Sequence, residues 1–365
     1  MHVVQVLAAL SVGGSELVVA ELSSYLASLG HQVTVIGRNG PLAKRIIAGG
    51  ADHLDWDIGH KRLGTLAYIS RLAAWLESRR PDVVHVHSRL PAWICWRAIQ
   101  RLAPSIRPAF VTSMHGQYSV SFYSAVMARG DRVIAVSDHI REYILKNYGF
   151  VAPESVLTIH GGTSRSEFPW AYKPCEDWIR QTQLEFPELG GKRILLLPGR
   201  LTRYKGHPAF IELISRLSVE FPDIHGVILG QTRAGSRYLA ELEGLAQKEK
   251  TLDRITFTGL REDIRDWMAA SELVFNLCSD PPEAFGRTVP EALRLGVPVI
   301  AWGHGGVKEI LEMMFPKGAV SPDNFEALLL KTREFLKQKP AVAQSDAFLL
   351  GDSLQKHLTL YENVI

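Results

Sequence analysis

The sequence predicts an α/β protein made of two doubly wound parallel-sheet domains in tandem. Three observations support this prediction. At 365 residues the chain exceeds the size at which one hydrophobic core usually suffices. Short apolar runs rich in Val and Ile alternate with segments of helical period, which indicates parallel strands joined by helices. The alternation stops at a polar segment, 161–174, that reads as a linker, and then it begins again.

The first half opens with a βαβ unit. Its first strand ends at a Gly13-Gly14 turn, after which Ser15 is expected to cap a helix that Gly30 terminates. Ser137 is expected to cap a later helix in the same way. The predicted strands of this half are 3–10, 31–36, 82–87, 109–114, 132–136 and 156–159, and its helices are 16–29, 66–79 and 138–148.

The second half repeats the alternation. Its predicted strands are 193–197, 225–229, 255–258 and 273–277, and its helices are 208–221, 238–248, 263–270 and, near the end of the chain, 352–363. The glycine-rich segments of both halves follow predicted strands directly. Because ligands of open α/β sheets bind beyond the carboxyl ends of the strands, we expect two such domains to enclose a ligand-binding cleft.

The composition is that of a globular protein of a reducing compartment. Apolar residues make up 46% of the chain and charged residues 22%. No apolar run is long enough to span a bilayer, and the N-terminus lacks the features of a signal peptide. The three cysteines are far apart in the sequence, which predicts no disulfide framework. We therefore expect a cytoplasmic location.

Charge is distributed unevenly along the chain. Residues 1–165 hold 17 Lys and Arg against 11 Asp and Glu, whereas the remainder holds 24 against 27. A basic first half is compatible with an anionic partner, either a phosphorylated acceptor or the cytoplasmic face of the inner membrane, where the protein would be peripheral. It is equally compatible with solvated arginines on exposed helix faces.

A short basic segment, Gly199-Arg200-Leu-Thr-Arg-Tyr-Lys205-Gly206, follows the first strand of the second half. The glycines allow close backbone approach, and the two cations suit a diphosphate, Arg200 as a bidentate fork and Lys205 as a point charge. A solvated basic loop is the alternative. The segment is not a P-loop, because the Gly-Lys-Ser/Thr arrangement is missing.

Two glutamates bracket the start of a later helix. Pro281 and Pro282 prevent helix there, so Glu283 lies on a loop and the helix is expected to begin within 285–287. The free amides at this helix start would favour an anion. Glu291 lies eight residues further on, about 12 Å away at most. The spacing suits two carboxylates that bind the sugar and the ribose of an elongated ligand, although Glu291 as a surface helix residue is the alternative.

Together these motifs resemble the GT4 family of retaining glycosyltransferases, whose signature is Glu-x7-Glu. The likeness includes Ala292 and Gly296-Val-Pro-Val after that signature, Gly13-Gly14 with Glu16, the segment 81–87, His115-Gly116 and the terminal helix. It therefore covers nearly the whole chain. The resemblance implies a GT-B fold, in which two Rossmann-like domains face each other across a cleft. The acceptor-binding domain would be 1–165, the nucleotide-sugar donor domain 175–345, and the helix of about 346–365 would pack back on the first domain.

The resemblance also implies roles for individual residues. Arg200 and Lys205 would neutralise the donor diphosphate in place of a metal, Glu283 would hold hydroxyls of the transferred sugar, and His115 would lie near that sugar. These four form the implied catalytic set. Further donor contacts would come from Gly14, Gly230, Leu260, Phe285, Gly286, Arg287 and Glu291, and acceptor contacts from Gly13 and Gly14. No metal or other cofactor is implied beyond the nucleotide diphosphate sugar as co-substrate.

The function so implied is transfer of a hexose-type sugar from a nucleotide diphosphate sugar to an acceptor hydroxyl. The acceptor would be a saccharide or a lipid-linked saccharide of bacterial envelope polysaccharide or lipopolysaccharide core synthesis, and nucleic acid is not an expected partner. Retention would proceed by front-face attack, with the departing phosphate as base. The chain departs from the family pattern at Gly161-Gly162-Thr163-Ser164, where Asn-Gly-Val-Asp is common, and at Ala284, where Gly is common.

Two other functions are compatible with the same architecture: a nucleotide-sugar epimerase, and a catalytically silent nucleotide-sugar binding subunit. The pair of glutamates argues against the first, and the intact charged set against the second. Asp55-Trp-Asp57 matches a metal-binding DxD pattern but lies away from the donor set, and His85-Val-His87 has no third metal ligand after it. Trp93 and Trp96 are expected to be core or amphipathic surface, or to contact a lipid-linked acceptor.

Overall fold

A computed structural model describes residues 1–232 and 235–365. The chain divides into two compact units, one of residues 1–161 with 350–365 and one of residues 162–349. The strands are β1 (His2–Ala9), β2 (Gln32–Arg38), β3 (Asp52–Asp55), β4 (Val83–Val86), β5 (Ala109–Met114), β6 (Arg132–Ala135), β7 (Val156–Thr158), β8 (Arg193–Pro198), β9 (Ile224–Leu229), β10 (Ile255–Gly259), β11 (Ser271–Asn276), β12 (Val299–Trp302) and β13 (Ala319–Val320).

Helices connect these strands. They are α1 (Gly14–Ser28), α2 (Ala43–Ala48), α3 (Tyr68–Arg79), α4 (Arg89–Ile99), α5 (Asp138–Asn147), α6 (Glu176–Glu185), α7 (His207–Leu217), α8 (Tyr238–Lys248), α9 (Ile264–Ala269), α10 (Thr288–Arg294), α11 (Gly305–Met314), α12 (Phe325–Lys337) and α13 (Leu350–Glu362). None of the helices that the structure describes is both long and apolar enough to cross a bilayer.

The first unit contains a seven-stranded sheet in the order β3-β2-β1-β4-β5-β6-β7, and every pair is parallel. Strands β1 and β4 are buried along almost their whole length, as expected for a parallel sheet covered on both faces. Helix α13 belongs to this unit, where Leu358, Leu360 and Tyr361 join the same apolar core as β1 and α1.

The second unit contains a six-stranded sheet in the order β10-β9-β8-β11-β12-β13, again parallel throughout. In both sheets the strand order reverses beside the first strand, between β1 and β4 and between β8 and β11. This is the doubly wound, Rossmann-like topology that the sequence predicts, and the prediction is confirmed. Ligands of such sheets bind at the carboxyl ends of the strands, next to the point of reversal.

Several local predictions need correction. Ser15 is not a cap, because the extended Gly13 is the N-cap of α1 and the Ser15 hydroxyl donates to Glu16 Oε2 at 2.7 Å. Helix α10 begins at Thr288 rather than within 285–287, because Gly286 has a φ of 92°, which no helix accommodates. The cap at Ser137 is confirmed, since its Oγ accepts from the Ile140 amide at 3.2 Å.

Residues 162–174 are held in the second unit rather than forming a free linker. Thr163 is fully buried, and its amide donates to the Phe348 carbonyl oxygen at 2.9 Å. Arg294 Nε donates to Thr163 Oγ1 at 2.8 Å, and other guanidinium nitrogens of Arg294 donate to the carbonyl oxygens of Ser345 and Ala347. The departure from the family pattern at Thr163 therefore supports the chain near residues 345–348.

Candidate active site

The loops that follow β8 and β11 meet at the point of strand reversal in the second sheet. Gly206 adopts a φ of 77°, and a Cβ there would lie 2.2 Å from the Leu277 carbonyl oxygen, so only glycine permits this approach. The Ser279 amide donates to the Tyr204 carbonyl oxygen at 2.9 Å. Backbone contact between the two loops therefore positions Lys205 beside the segment that carries Glu283.

Lys205 and Glu283 form an ion pair between Nζ and Oε2. Their side chains are only 20% and 22% exposed, so solvent screens the pair less than a surface pair. Burial acts to lower the pKa of Lys205, but the charge of Glu283 and its hydrogen bond outweigh burial and raise it. Lys205 is therefore a firmly charged cation at neutral pH.

Gly305 and Gly306, at the start of α11, pack against the backbone of the loop that carries Glu283. A Cβ on Gly305 would lie 2.5 Å from the Glu283 carbonyl oxygen, and one on Gly306 would lie 2.1 Å from the Ala284 carbonyl oxygen. The Gly306 amide donates to the Glu283 carbonyl oxygen at 2.9 Å. Alongside, His304 Nε2 contacts the Cys278 carbonyl oxygen at 2.7 Å. The backbone that presents the Glu283 carboxylate therefore packs so closely on α11 that only glycine fits at positions 305 and 306.

Glu291 is a buried residue with only 6% of its surface exposed. Its Oε1 accepts from Arg287 Nε at 3.3 Å, in an i,i+4 pair in which both side chains are largely buried. The alternative that Glu291 is an ordinary surface helix residue is therefore excluded. A buried carboxylate is retained where it is paired and hydrogen-bonded, as here, or where a ligand supplies further donors.

Arg200 differs from Lys205 in having no ion-pair partner within residues 1–232 and 235–365, and its side chain is exposed. It follows Gly199, whose φ of 143° turns the chain out of β8. The predicted donor residue Gly230 packs against that turn, because a Cβ there would lie 2.0 Å from the Gly199 carbonyl oxygen. Leu260 is half exposed at the end of β10. Arg200 is therefore available to an anion, and Gly230 has a steric role.

Phe285 and Gly286 fill the space between Glu283 and α10. The Phe285 ring is buried edge-on against Phe348, with 5.7 Å between ring centroids. Its side chain is therefore packed in the interior and does not project towards solvent. A Cβ on Gly286 would lie 2.7 Å from Val307 Cγ2 and 3.1 Å from Glu283 Cγ. Phe285 therefore takes part in core packing, and only glycine fits at position 286 beside Glu283.

At the first sheet, the Gly13-Gly14 turn follows β1 and carries an acidic group. A Cβ on Gly13 would lie 2.6 Å from Glu16 Oε2, so the carboxylate lies directly over the turn. Glu16 also accepts from the hydroxyls of Ser11, at 3.0 Å, and Ser15, at 2.7 Å. A carboxylate in this position suits hydroxyl groups better than it suits phosphate.

His115 follows β5 on the same edge of the first sheet, and it is half-buried. Its Nε2 lies 3.0 Å from Nδ1 of His87, which follows β4. Burial, together with the charge of His357, lowers the pKa of His115 to about 4. The imidazole is therefore neutral at pH 7 and can both donate and accept a hydrogen bond.

Both units match sequence models of known families. Residues 12–167 match Glycosyltransferase Family 4, and residues 180–346 match Glycosyl transferases group 1. The chain belongs to the GT4 glycosyltransferases. The resemblance deduced from the Glu-x7-Glu signature is confirmed, as are the GT-B fold and the glycosyltransferase activity class.

Relatives of this glycosyltransferase include proteins of different description. Spore coat protein SA of Bacillus subtilis is 27% identical over 316 residues, which cover 82% of this chain and 79% of that protein. The lipopolysaccharide core biosynthesis mannosyltransferase LpsB of Rhizobium meliloti is 29% identical over 154 residues, 41% of this chain and 43% of that protein.

Solved structures show the same fold. A glycosyltransferase from Rickettsia africae superimposes with a TM-score of 0.84 at 24% identity, covering 100% of this chain and 98% of that one. Anabaena HepE in complex with UDP-glucose superimposes with a TM-score of 0.81 at 19% identity, and the match covers 100% of both chains.

Sequence reasoning missed the residues of this glycosyltransferase that carry the Glu283 loop. His304, Gly305 and Gly306 are not among the site residues that the sequence predicts, although they follow a buried strand, as the segment 199–206 does. Conversely, Asp55 and Asp57 have separate structural partners: Asp55 Oδ1 accepts from the Asn39 amide at 2.8 Å, and Asp57 pairs with Arg62 at 3.2 Å. The two carboxylates therefore bind separate groups of the first unit.

Proposed function

We propose that this glycosyltransferase moves a hexose-type sugar from a nucleoside diphosphate sugar to an acceptor hydroxyl, with retention of configuration. One observation carries the proposal: Arg200, Lys205 and Glu283 come from two loops that meet at the strand-reversal point of the second sheet. A cation paired with a carboxylate, with a second cation on the same loop, matches a ligand that has a dianionic diphosphate next to a ring of hydroxyls. The solved structure of Anabaena HepE, which contains UDP-glucose, supports this class of donor.

Leaving-group stabilisation is the main chemical task in this proposal. Breaking the bond between sugar and phosphate develops negative charge on the diphosphate and positive charge on the sugar. Preorganised cations lower the barrier because they need no rearrangement as that charge develops. Arg200 is exposed and has no ion-pair partner among the residues that the structure describes, while Lys205 is charged and held by its pair with Glu283. We assign them together to the diphosphate, in the place that a metal ion takes in other transferases.

The two carboxylates would define the length of the donor. Glu283 would accept hydrogen bonds from hydroxyls of the transferred sugar, and Glu291 from the ribose, with amides of 285–287 between them. Glu283 is already neutralised by Lys205, which makes it a poor nucleophile. We therefore propose front-face attack by the acceptor hydroxyl, whose proton passes to the departing phosphate.

The first unit would supply the acceptor contacts. Glu16 lies over the Gly13-Gly14 turn and can accept from acceptor hydroxyls, while the neutral His115 can bind a substrate hydroxyl. Gly14 as a contact to the donor phosphate fits less well, because the Glu16 carboxylate would repel that phosphate.

We also propose that the first unit binds an anionic membrane surface, in keeping with envelope glycan synthesis on a lipid-linked acceptor. An aromatic patch of Trp93, Trp96, Phe122 and Phe150 is interleaved with arginines. Arg97 lies 4.9 Å from the Trp96 ring centroid, and Arg129 lies 5.5 Å from Trp96 and 4.9 Å from Phe150. Aromatic rings and arginines together suit the interface between lipid headgroups and acyl chains. The similarity to the lipopolysaccharide mannosyltransferase LpsB supports this setting.

A donor panel tests the proposed reaction. Thermal unfolding is measured with UDP-, GDP- and ADP-sugars, because a ligand that binds the folded state raises the melting temperature. The selected donor is then incubated with and without candidate saccharide acceptors. Nucleoside diphosphate release that depends on acceptor supports transfer. Interconversion of the sugar nucleotide without acceptor would instead identify an epimerase, and stabilisation without any turnover would identify a silent binding subunit.

Matched arginine variants localise the diphosphate site. Arg200→Ala removes an exposed cation that pairs with no acidic group in the described part of the chain, whereas Arg203→Ala removes a neighbouring exposed arginine that is already paired with Glu241. We expect the first variant to weaken binding of the selected nucleoside diphosphate by about 10-fold or more and the second to leave it nearly unchanged. Equal effects would contradict the assignment of Arg200.

Vesicle sedimentation tests the membrane surface. We expect binding to vesicles that contain anionic lipid, loss of binding in a Trp96→Ala, Phe122→Ala double variant, and little change in Leu63→Ala. Leu63 is an exposed apolar residue of the same unit outside the aromatic patch. No binding to anionic vesicles by the wild-type chain would contradict the membrane proposal and leave the transfer reaction untouched.

A further inference from the structure

A chain of hydrogen bonds crosses the interior of the first unit and ends at His115. Three of its six side chains lie in strands β1, β4 and β5. Two more directly follow β4 and β5, and the sixth lies in the terminal helix α13. In order they are Ser113, His85, Tyr361, Gln5, His87 and His115. All but His115 are at most 3% exposed, so the chain is shielded from water until its last member.

The topology of the sheet produces this alignment. Gln5 of β1 and His85 of β4 are register partners in neighbouring strands. His87 lies two residues after His85, so the two imidazoles share one face of the sheet, with 4.0 Å between ring centroids. Helix α13 covers that face and inserts Tyr361, whose hydroxyl lies 2.6 Å from His85 Nδ1 and 3.3 Å from Gln5 Nε2.

The amide of Gln5 sets the direction of every bond. Its Nε2 can only donate, so Tyr361 Oη accepts from it, and the phenol proton is then free to be donated to His85 Nδ1. At the other end of the amide, Oε1 can only accept, so His87 Nε2 donates to it at 2.6 Å. A rotation of the Gln5 amide that exchanges Oε1 and Nε2 would reverse the direction of every hydrogen bond in the chain.

This direction propagates to His115. When His87 carries its proton on Nε2, its Nδ1 is an acceptor, and it receives the proton of His115 Nε2 at 3.0 Å. Nδ1 of His115 then has no proton and no hydrogen-bond partner in the part of the chain that the structure describes. Each imidazole must be neutral for this pattern, and burial does lower the pKa of His85 and His87 well below the usual value.

We propose that this buried chain holds His115 as the Nε2–H tautomer and so presents Nδ1 as an acceptor to a substrate hydroxyl. Gln5, His87 and Tyr361 are positioning residues in this scheme, and the terminal helix contributes to the active site through Tyr361. The inference rests on the proposed function, because that function supplies the hydroxyl that His115 binds.

The tautomer can be measured without any variant. Nitrogen-15 spectra of the imidazole rings distinguish protonated from unprotonated ring nitrogens, and His115→Gln identifies the signals of residue 115. We expect His115 at pH 7 to be neutral, protonated at Nε2 and unprotonated at Nδ1. A His115 that carries its proton on Nδ1, or that is charged at pH 7, overturns the proposal.

A pair of tyrosine variants tests the chain itself. Tyr361→Phe keeps the ring and removes the hydroxyl that accepts from the Gln5 amide nitrogen. Tyr25→Phe is the matched control, because Tyr25 also loses a hydroxyl bonded to α13, at Gln355 Oε1, but outside the chain. In Tyr361→Phe we expect a mixture of His115 tautomers and a fall in kcat/KM of about 10-fold. In Tyr25→Phe we expect neither.

The two readouts separate the inference from the proposed function. Retention of a single Nε2–H tautomer in folded Tyr361→Phe would refute the positioning role, whatever the activity. If no donor and acceptor support turnover, yet the tautomer is Nε2–H in the wild type and mixed in Tyr361→Phe, the positioning role stands and the proposed function fails.

Discussion

Replacing Lys205 with methionine removes one charge from the Lys205–Glu283 pair and keeps most of the apolar stem. In the free protein the two groups neutralise each other, and each side chain is about four-fifths buried. Opposite charges about 3 Å apart attract by about 5 kcal/mol at an effective dielectric constant near 20. Partial desolvation of both groups opposes this, so we expect a coupling free energy of about 1–3 kcal/mol between contacting side chains.

This coupling has a definite consequence for nucleotide binding. If Lys205 binds the diphosphate as proposed, Lys205→Met should lose a charged hydrogen bond worth about 1.5–3 kcal/mol and should also leave the Glu283 carboxylate facing that diphosphate. Glu283→Gln removes the same negative charge and should bind the nucleoside diphosphate no more weakly than the wild type. The double variant should bind more tightly than Lys205→Met alone, by about 10-fold, because the repulsion is gone.

Calorimetric titration of UDP into the four proteins measures this cycle, with GDP and ADP as further ligands. Lys308 and Glu312 provide the control, since they form an exposed i,i+4 pair at 3.7 Å on the same unit. Their cycle should show no coupling to nucleotide binding. Additive effects of Lys205→Met and Glu283→Gln, within about 0.5 kcal/mol, would refute the idea that the two residues share the diphosphate site.

Three further predictions concern catalysis, metal and acid. Glu283→Ala should abolish transfer and leave nucleoside diphosphate binding partly intact, whereas full activity in that variant would exclude its sugar contact. EDTA should not inhibit, and a strong loss of activity would indicate a metal site. Burial lowers the pKa of His115, His207, His225 and His357 to about 4. Their unfolded forms protonate near pH 6.5, so the stability they contribute is complete above that pH and is lost as pH falls towards 4, by about 3 kcal/mol for each histidine. The melting temperature should therefore fall steeply below pH 6.5, and a constant value down to pH 4 would contradict this.

Local sequence pattern predicted most of the regular structure. Strand β5 and helix α8 have the bounds that periodicity predicts, because an apolar run and an amphipathic period are properties of the segment itself. Short or poorly marked elements were missed, among them β13, with two residues, and α6, which buries little of its surface. Two residues are too few to show a strand period, and α6 buries only Thr182, so it has no apolar face that marks it in the sequence.

The sequence alone was enough for the class of protein, and its resemblance to the family supplied the proposed residues of the donor site. Three features can be recognised in the sequence itself: glycines after strands, the basic segment at 199–206, and two glutamates eight residues apart. Only the tertiary structure decided how those residues act on one another. Folding brings together residues that lie far apart in sequence, as in the pairing of Lys205 with Glu283 and the hydrogen-bonded chain from Tyr361 to His115. Folding also decides the burial of Glu291. Such contacts depend on strand order and register, which no single segment encodes.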